Sequence, residues 1–282
     1  MLTLNTYPNK KGLAMNSLLS KPCAPSLLSL FVVLAGSCQP KKQGPIATVA
    51  VSRPILLPVG KKILSKNRRF VYLVRWYAPH ATKASLDTVT MTASGAPCSY
   101  EPTQMCFEWL FWPDSMWTSG FRASVGAIEN KEEFWIHPPR YGHYRILELN
   151  PFPHIKLPAV SGRTWEWKVY PPADYYADPA WASWKGILQV KFRYKLGGIS
   201  QLATPLGSLS CYRVQATGTS KLGTTDLEAY FHLAYGFVRL HYRNIDSSRV
   251  QLEMVAVDVR PESSERVSEI MFLEPYGLQQ PK

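Results

Sequence analysis

Residues 188–196 alternate between apolar and polar side chains without interruption, and this pattern constrains the fold more than any other feature of the chain. Leu188 and Phe192 are among the apolar positions, and Lys191 and Arg193 are among the polar positions between them. A repeat of two is typical of an antiparallel strand that packs one face on a core and turns the other to water. Since no segment shows the repeat of a long amphipathic helix, the chain is predicted to be all-β.

Four more strand-like segments follow at short intervals, separated by residues that favour turns. The segments are 208–220, 224–233, 237–245 and 249–259, and turns are predicted at Gly197-Gly198, 221–223, 234–236 and 246–248. Consecutive strands joined by tight turns form an antiparallel meander, and strand twist makes such a meander curl. In the last strand, Val250, Leu252, Met254 and Ala256 are expected to face the core.

The first half of the domain is expected to complete or cover this curved sheet. It contains strand-like segments at 68–78, 86–94, 132–140 and 163–170, and an aromatic, turn-rich insertion follows at 171–186. The predicted fold class is therefore all-β, a single domain built on a curved antiparallel meander sheet. It would be half-barrel or β-roll like, with loop-rich aromatic insertions.

The N-terminal region has the features of an export signal. Leu27–Ala35 is an apolar run too short to span a bilayer, three lysines precede it, and small residues lead from it to Cys38. The arrangement resembles a bacterial lipobox, in which the cysteine is acylated and becomes the first mature residue. Ala35 departs from the usual pattern, which has leucine at that position. The alternative is an ordinary secretory signal that is cut nearby, with Cys38 incidental.

These features divide the chain into four predicted regions. They are a signal peptide at 1–37 with Met15 as an alternative start, a lipid-anchored tether at 38–61, the β-rich domain at 62–260, and a polar C-terminal tail at 261–282. Acylation at Cys38 would make a membrane the first partner of the protein, because several acyl chains together give stable attachment.

Basic residues outnumber acidic residues, with 32 Lys and Arg against 20 Asp and Glu and a net charge of +12. An excess of this kind favours contact with polyanions or with anionic lipid head groups. Nucleic-acid binding is not predicted, because the cations are scattered along the chain instead of clustering with aromatic residues on one element.

The cysteines of the domain support two interpretations. Cys98 and Cys106 bracket a short loop, and they form either a disulfide, which an oxidising envelope permits, or two buried thiols. Cys211 lies in a strand-like segment without an acid or histidine beside it, and it is expected to be a buried structural thiol.

No metal or cofactor is predicted. His137, His143 and His154 lie in proline-rich segments without the spacing of a metal site, and they are expected to be partly exposed loop residues. Nucleotide-binding and hydrolase motifs are also missing from the sequence, so no catalytic residue is assigned.

Two groups of side chains are candidates for a binding site. The first is an aromatic group that could stack on sugars or line an apolar groove, although core packing is the alternative. The second would share a polar strand face and supports a hydrolase as the alternative function, although a solvated sheet surface is the simpler interpretation. The aromatic group is Trp165, Trp167, Tyr175, Tyr176, Trp181 and Trp184, and the polar group is Glu228, Tyr230, His232 and His241.

Several motifs between residues 129 and 258 resemble a group of uncharacterised envelope lipoproteins of Bacteroidota. The most specific are WIHPPR, LNPFP, LG-x-L-x-CY and AYF-x-x-x-YGFVRL-x-Y-x-NID. The resemblance implies a lipoprotein with a curved antiparallel sheet, and it transfers no catalytic residue. Surface-directed lipoproteins of that group often carry acidic residues after the lipidated cysteine. Residues 39–42 do not, so an outer-membrane anchor facing the periplasm is expected.

The leading hypothesis from the sequence is therefore a lipid-anchored, non-enzymatic envelope domain. It would bind an apolar ligand, a glycan or a partner protein on the concave face of its sheet, and a purely structural role in the envelope is a further alternative.

Overall fold

The computed structural model describes residues 62–111 and 121–259, and these form one antiparallel sheet of 12 strands. Two short helices interrupt the strands, a 3₁₀ helix at Gly142–Leu149 and α1 at Ala173–Tyr176. The predictions for 1–37, 38–61 and 261–282 lie outside the described residues. The strands are β1 (Arg68–Tyr77), β2 (Ser85–Pro97), β3 (Met105–Phe111), β4 (Phe121–Glu129), β5 (Glu133–Ile136), β6 (His154–Lys156), β7 (Thr164–Val169), β8 (Val190–Thr204), β9 (Gly207–Ser220), β10 (Gly223–His232), β11 (Gly236–Arg243) and β12 (Arg249–Val259).

The order of the strands explains how both halves of the domain share one sheet. It runs β6-β5-β4-β3-β2-β1-β12-β11-β10-β9-β8-β7. The chain starts in the middle at β1, moves outward to the β6 edge, crosses to the β7 edge and returns to pair β12 with β1. The predicted all-β fold built on a curved antiparallel meander is confirmed, and the first half of the domain extends the sheet.

The two edges of the sheet, β6 and β7, are joined by the segment 157–163, and their side chains contact each other. Side chains connect these edges in place of a backbone ladder, so the sheet is curved but not closed. The indole Nε1 of Trp165 donates to Nδ1 of His154 at 3.1 Å. Beside it, the ring centroids of Trp135 and Trp167 are 5.2 Å apart.

The inner face of the curved sheet holds a core in which distant strands meet. Phe134 of β5 packs on Phe231 of β10 and Phe237 of β11, with ring centroids 5.3 and 5.7 Å apart. The buried hydroxyl of Tyr72 on β1 donates to the backbone carbonyl of Phe237 at 2.9 Å. Since β5 and β10 are far apart in the strand order, these contacts hold the curvature as well as the core.

The segment between β5 and β6 lies against the same interior. Asn150 is fully buried, and its Nδ2 donates to the carbonyl of Arg243 at 3.0 Å. His154 is also buried, and only 15% of the His137 side chain is exposed. His154 was expected to be a partly exposed loop residue, and this expectation is wrong because the proline-rich segment that carries it packs against the core. The side chain of His143 is exposed.

The turn predicted at Gly197 and Gly198 is wrong, because β8 continues through both glycines. The pairing of β8 with β9 shifts register at this point, so the glycines accommodate a bulge. The chain reverses at 205–206. Beyond the bulge the hairpin reaches across the sheet, since Arg239 of β11 donates to the carbonyl of Ala203 at 2.9 Å.

A second bulge changes which residues of β12 face the core. The register of β1 against β12 shifts between Val71 and Tyr72, which pair with Ala256 and Met254. As a result Val257 is buried and Ala256 is only half-buried, which corrects the expectation for Ala256. The other three inward positions predicted for this strand are buried.

Cys98 and Cys106 form a disulfide that closes the loop between β2 and β3. Cys211 is a buried free thiol, and burial raises its pKa to about 11 against the opposing effect of Arg239. A thiol with a raised pKa is a poor nucleophile, so Cys211 contributes packing. Within the described ranges, no helix has the length and hydrophobicity needed to cross a bilayer.

Candidate functional site

The polar side chains of β7–β12 that point away from the core form a continuous surface, which we call the outer face. This face contains a depression of about 910 Å³, the outer cleft, lined by residues from all six strands. The alternation of the sequence produces this surface, because every second residue of a strand faces the core and the residues between them face outward. A volume of this size falls within the range of small-molecule sites.

Strand register arranges most of the cleft residues in two rows that cross the sheet. The first row is Glu166, Arg193, Thr217, Asp226, Arg243 and Arg249, and the second row is Thr164, Lys195, Gln215, Glu228, His241 and Gln251. Each row therefore brings charged groups and neutral hydrogen-bonding groups from six strands onto one line.

Carboxylates on the outer face are paired with cations. Asp226 pairs with Arg243, and Glu228 pairs with Arg213 beside the cleft. Glu166 accepts from Lys191, with nitrogen and oxygen 2.8 Å apart. Glu166 also accepts from Arg193, which lies on β8 with Lys191, at 3.2 Å. Because a cation neutralises each of these carboxylates, their repulsion of an incoming anion is weak.

Two pairs of like charges lie directly opposite one another on neighbouring strands. Lys168 of β7 pairs in register with Lys191 of β8, and Arg243 of β11 with Arg249 of β12. Such pairs destabilise a sheet unless a counter-charge is near. One member of each pair has a carboxylate partner, whereas Lys168 and Arg249 form no ion pair with another described residue. Each pair therefore keeps one uncompensated positive charge.

The structure brings together three of the four residues of the predicted polar group. Glu228 and His241 are register partners, and the Tyr230 hydroxyl donates to Oε1 of Glu228 at 2.7 Å. His232 lies apart from them, at the end of β10, where its ring stacks on Tyr235 with centroids 4.9 Å apart. Glu228, Tyr230 and His241 thus form a cluster that excludes His232.

The electrostatics of this cluster keep Glu228 ionised and His241 neutral near pH 7. Burial acts to raise the pKa of Glu228, but hydrogen bonds from Tyr230 and Arg213 outweigh it, and the pKa lies below its usual value. Burial lowers the pKa of His241. At neutral pH the cluster is a carboxylate held by an arginine beside a neutral imidazole. Neither group is poised as a general acid near pH 7.

The aromatic group predicted from the sequence is packed against its neighbours. Trp165 stacks on Tyr194 with centroids 5.1 Å apart and planes inclined by 2°. The indole of Trp181 donates to the carbonyl of Tyr176 at 3.1 Å. A stacking face used by a neighbouring ring is not open to a sugar, so the role of these residues in ligand binding stays a prediction. Two are buried and four are half-buried: Tyr176 and Trp184, and Trp165, Trp167, Tyr175 and Trp181.

Sequence reasoning identified the strand alternation but missed the cations of the outer face as a site. The signal was present in 186–196, where Lys191, Arg193 and Lys195 occupy consecutive outward positions. Their partners on β11 and β12 are distant in sequence, and only the register brings Arg243 and Arg249 onto the same surface. In 62–111 and 121–259, no group of three or more His, Cys, Asp and Glu side chains is placed to hold a metal ion.

No known protein family matches the chain, and no curated protein matches it. Among solved structures, a protein of Parabacteroides distasonis described as a lipoprotein is similar at 12% identity and a TM-score of 0.41, covering 69% of this chain and 96% of that chain. An exported protein with a YmcC-like fold from Bacteroides fragilis matches at 10% identity and a TM-score of 0.36, covering 69% and 96%.

The hypothetical lipoprotein YmcC from Escherichia coli is also similar, at 10% identity and a TM-score of 0.34, covering 70% of this chain and 90% of that chain. At these identities and TM-scores, the similarity assigns neither a family nor a function to this protein.

Proposed function

We propose that this protein is a lipid-anchored bacterial envelope protein that binds an acidic glycan in its outer cleft, without catalysing a reaction. The attachment to the membrane rests on the export signal and on Cys38. The binding function rests on one observation, a depression of about 910 Å³ lined by cations, amides and hydroxyls, in which the two carboxylates are held by arginines. Its location is proposed to be the periplasmic side of the outer membrane, since 39–42 lack acidic residues.

The chemistry of the outer cleft matches a ligand that carries both negative charge and hydroxyl groups. Lys195 lies on β8 in the second row, and Arg249 lies on β12 in the first row, so cations stand at both ends of the cleft. Between them, Gln215 and Thr217 offer the neutral donors and acceptors that sugar hydroxyls need. Bonds between ionised groups are the stronger ones, so the cations supply affinity and the neutral groups supply orientation.

The inner face of the sheet does not offer a comparable site in the part of the chain that the structure describes. Its apolar side chains form the core, and Phe134, Phe231 and Phe237 meet across it. An apolar ligand on that face would have to displace core packing. The outer cleft is therefore the better-supported site.

Acylation at Cys38 is tested directly in cells that express the full chain. Cultures fed an alkyne fatty acid are expected to label the wild-type protein, and Cys38→Ala is expected to abolish the label. Cys23→Ala serves as the matched control, because Cys23 lies within the predicted leader and its loss should leave the label unchanged. Labelling that persists in Cys38→Ala would rule out the anchor.

Binding in the outer cleft is tested with the full mature chain carrying Cys38→Ser and a fluorescent oligomer of galacturonic acid. Lys195→Gln and Arg249→Gln are each expected to weaken binding about tenfold, the size of one hydrogen bond to a charged group. Lys131→Gln removes the same charge from an exposed turn on the opposite half of the sheet, and it should change affinity less than twofold. Equal losses in all three variants would contradict a defined site.

A further inference from the structure

The two like-charge pairs of the outer face lie at its two ends. Lys168 and Lys191 lie between β7 and β8, and Arg243 and Arg249 lie between β11 and β12. Four strand spacings separate the two pairs, which corresponds to about 19 Å perpendicular to the strands at 4.8 Å per spacing. One small anion cannot contact both pairs at that separation.

The centre of the outer face is close to neutral, in contrast to its ends. Asp226 and Glu228 of β10 are held by Arg243 and Arg213, and the positions beside them carry the uncharged Thr217 and Gln215. Positive charge is therefore concentrated at two places separated by a polar but nearly balanced stretch. Such a distribution complements a ligand whose negative charges recur along its length.

Each like-charge pair has the chemistry to hold one acidic group. Lys168 is exposed, and Nζ of Lys191 forms an ion pair with Oε2 of Glu166 at 2.8 Å. At the other end, the guanidinium of Arg249 lies over the Tyr77 ring at 4.6 Å from its centroid and donates to the carbonyl of Ala81 at 3.2 Å. These contacts fix the direction of Arg249 while leaving its charge uncompensated by any described carboxylate.

We infer that the ligand of the outer cleft is a linear acidic polysaccharide that crosses the strands and bridges the two like-charge pairs. This inference rests on the proposed function and adds the length and direction of the ligand to it. The chain of sugars would run perpendicular to β8–β11, with one acidic group at Lys168 and Lys191 and another at Arg243 and Arg249. The neutral groups between them would contact hydroxyls.

The test compares galacturonate oligomers of one to ten units against the full mature chain carrying Cys38→Ser. Affinity is expected to rise at least 30-fold from the monomer to the longest oligomer and to level off once both pairs are bridged. In the octamer, Lys168→Gln and Arg249→Gln should each weaken binding about tenfold, and the double variant should bind no better than the dimer binds the wild type.

The outcomes separate this inference from the proposed function. If monomer and decamer bind equally well and Lys195→Gln weakens both, the cleft is an acidic-sugar site and the bridging inference is overturned. If no oligomer of any length binds in a buffer with 20 mM salt, the proposed function and the bridging inference are both overturned. A single-stranded oligonucleotide of matched charge is the last control. The inference fails if the oligonucleotide binds as tightly as the octamer and if Lys131→Gln weakens its binding as much as Lys168→Gln or Arg249→Gln does. Such a result would show that the interaction is unspecific charge attraction.

Discussion

Replacing Phe134 by alanine is expected to lower the free energy of unfolding by about 3–5 kcal/mol, the range for deleting a buried phenylalanine ring. Phe134 is 1% exposed and lies on β5, near one edge of the sheet. Its ring contacts Phe231 and Phe237, which lie on strands seven and six positions away in the sheet order. The substitution removes core packing and, with it, one of the contacts that hold the curved sheet together.

The measurement is urea-induced unfolding of the domain, followed by tryptophan fluorescence at pH 5.5. Leu86→Ala is the matched control, because Leu86 is also an apolar residue of a strand but is 62% exposed, and its loss should cost less than about 0.5 kcal/mol. A loss below about 1 kcal/mol for Phe134→Ala would show that β5 does not pack on β10 and β11.

The alternation in the second half was enough to predict β7 and β8 and the meander of β9–β12. It could not predict bulges, because a bulge is a local mismatch between two strands and leaves no mark in the period of either strand alone. Gly197 and Gly198 show the ambiguity, since two glycines permit a turn and a bulge equally well. Ala256 shows the consequence, because the mismatch opposite Val71 moves the inward position to Val257.

The interior role of the segment between β5 and β6 was also hidden from the sequence. Its prolines predicted loops, and loops are ordinarily exposed. Here the loop packs inside a curved sheet, and groups such as Asn150 satisfy the backbone carbonyls of other strands. The outer cleft was missed for a related reason, because only the register of six strands assembles it.

Three ionisable side chains from this segment meet in the interior. Oε1 of Glu148 lies 3.3 Å from Nδ1 of His137 and 3.9 Å from Nη1 of Arg140. Burial raises the pKa of Glu148 to about 7, with Arg140 opposing the shift. Burial also lowers the pKa of His137 well below its usual value, and Arg140 lowers it further. At pH 6 the cluster therefore holds a protonated acid beside a neutral imidazole.

The sign of the resulting pH dependence follows from the raised pKa of Glu148. The folded state binds this proton more tightly than the unfolded state, whose pKa is the ordinary 4.5. The contribution to stability is fully present below pH 4.5 and is lost as the pH rises to 7. The loss can reach about 3 kcal/mol, from 1.36 kcal/mol per pKa unit. The lowered pKa of His137 acts in the opposite direction, stabilising above pH 6.5 and losing its contribution as the pH falls.

Glu148→Gln separates these two effects, because the amide keeps the shape and the hydrogen-bonding capacity of the protonated acid but cannot ionise. The variant and the wild type should be nearly equally stable at pH 4.5. By pH 7.5 the variant should be more stable by about 2–3 kcal/mol, because only the wild type pays to bury an ionised carboxylate. Urea unfolding at four pH values between 4.5 and 7.5 measures the gap.

Glu132→Gln provides the control for the loss of a carboxylate, because Glu132 lies exposed in the turn before β5. Its stability curve should run parallel to that of the wild type across the whole range. Parallel curves for Glu148→Gln as well would mean that Glu148 is ionised in the folded protein at neutral pH, held by Arg140 and a charged His137. In that case His137→Gln, not Glu148→Gln, should change the pH dependence, and the same urea series would distinguish the two arrangements.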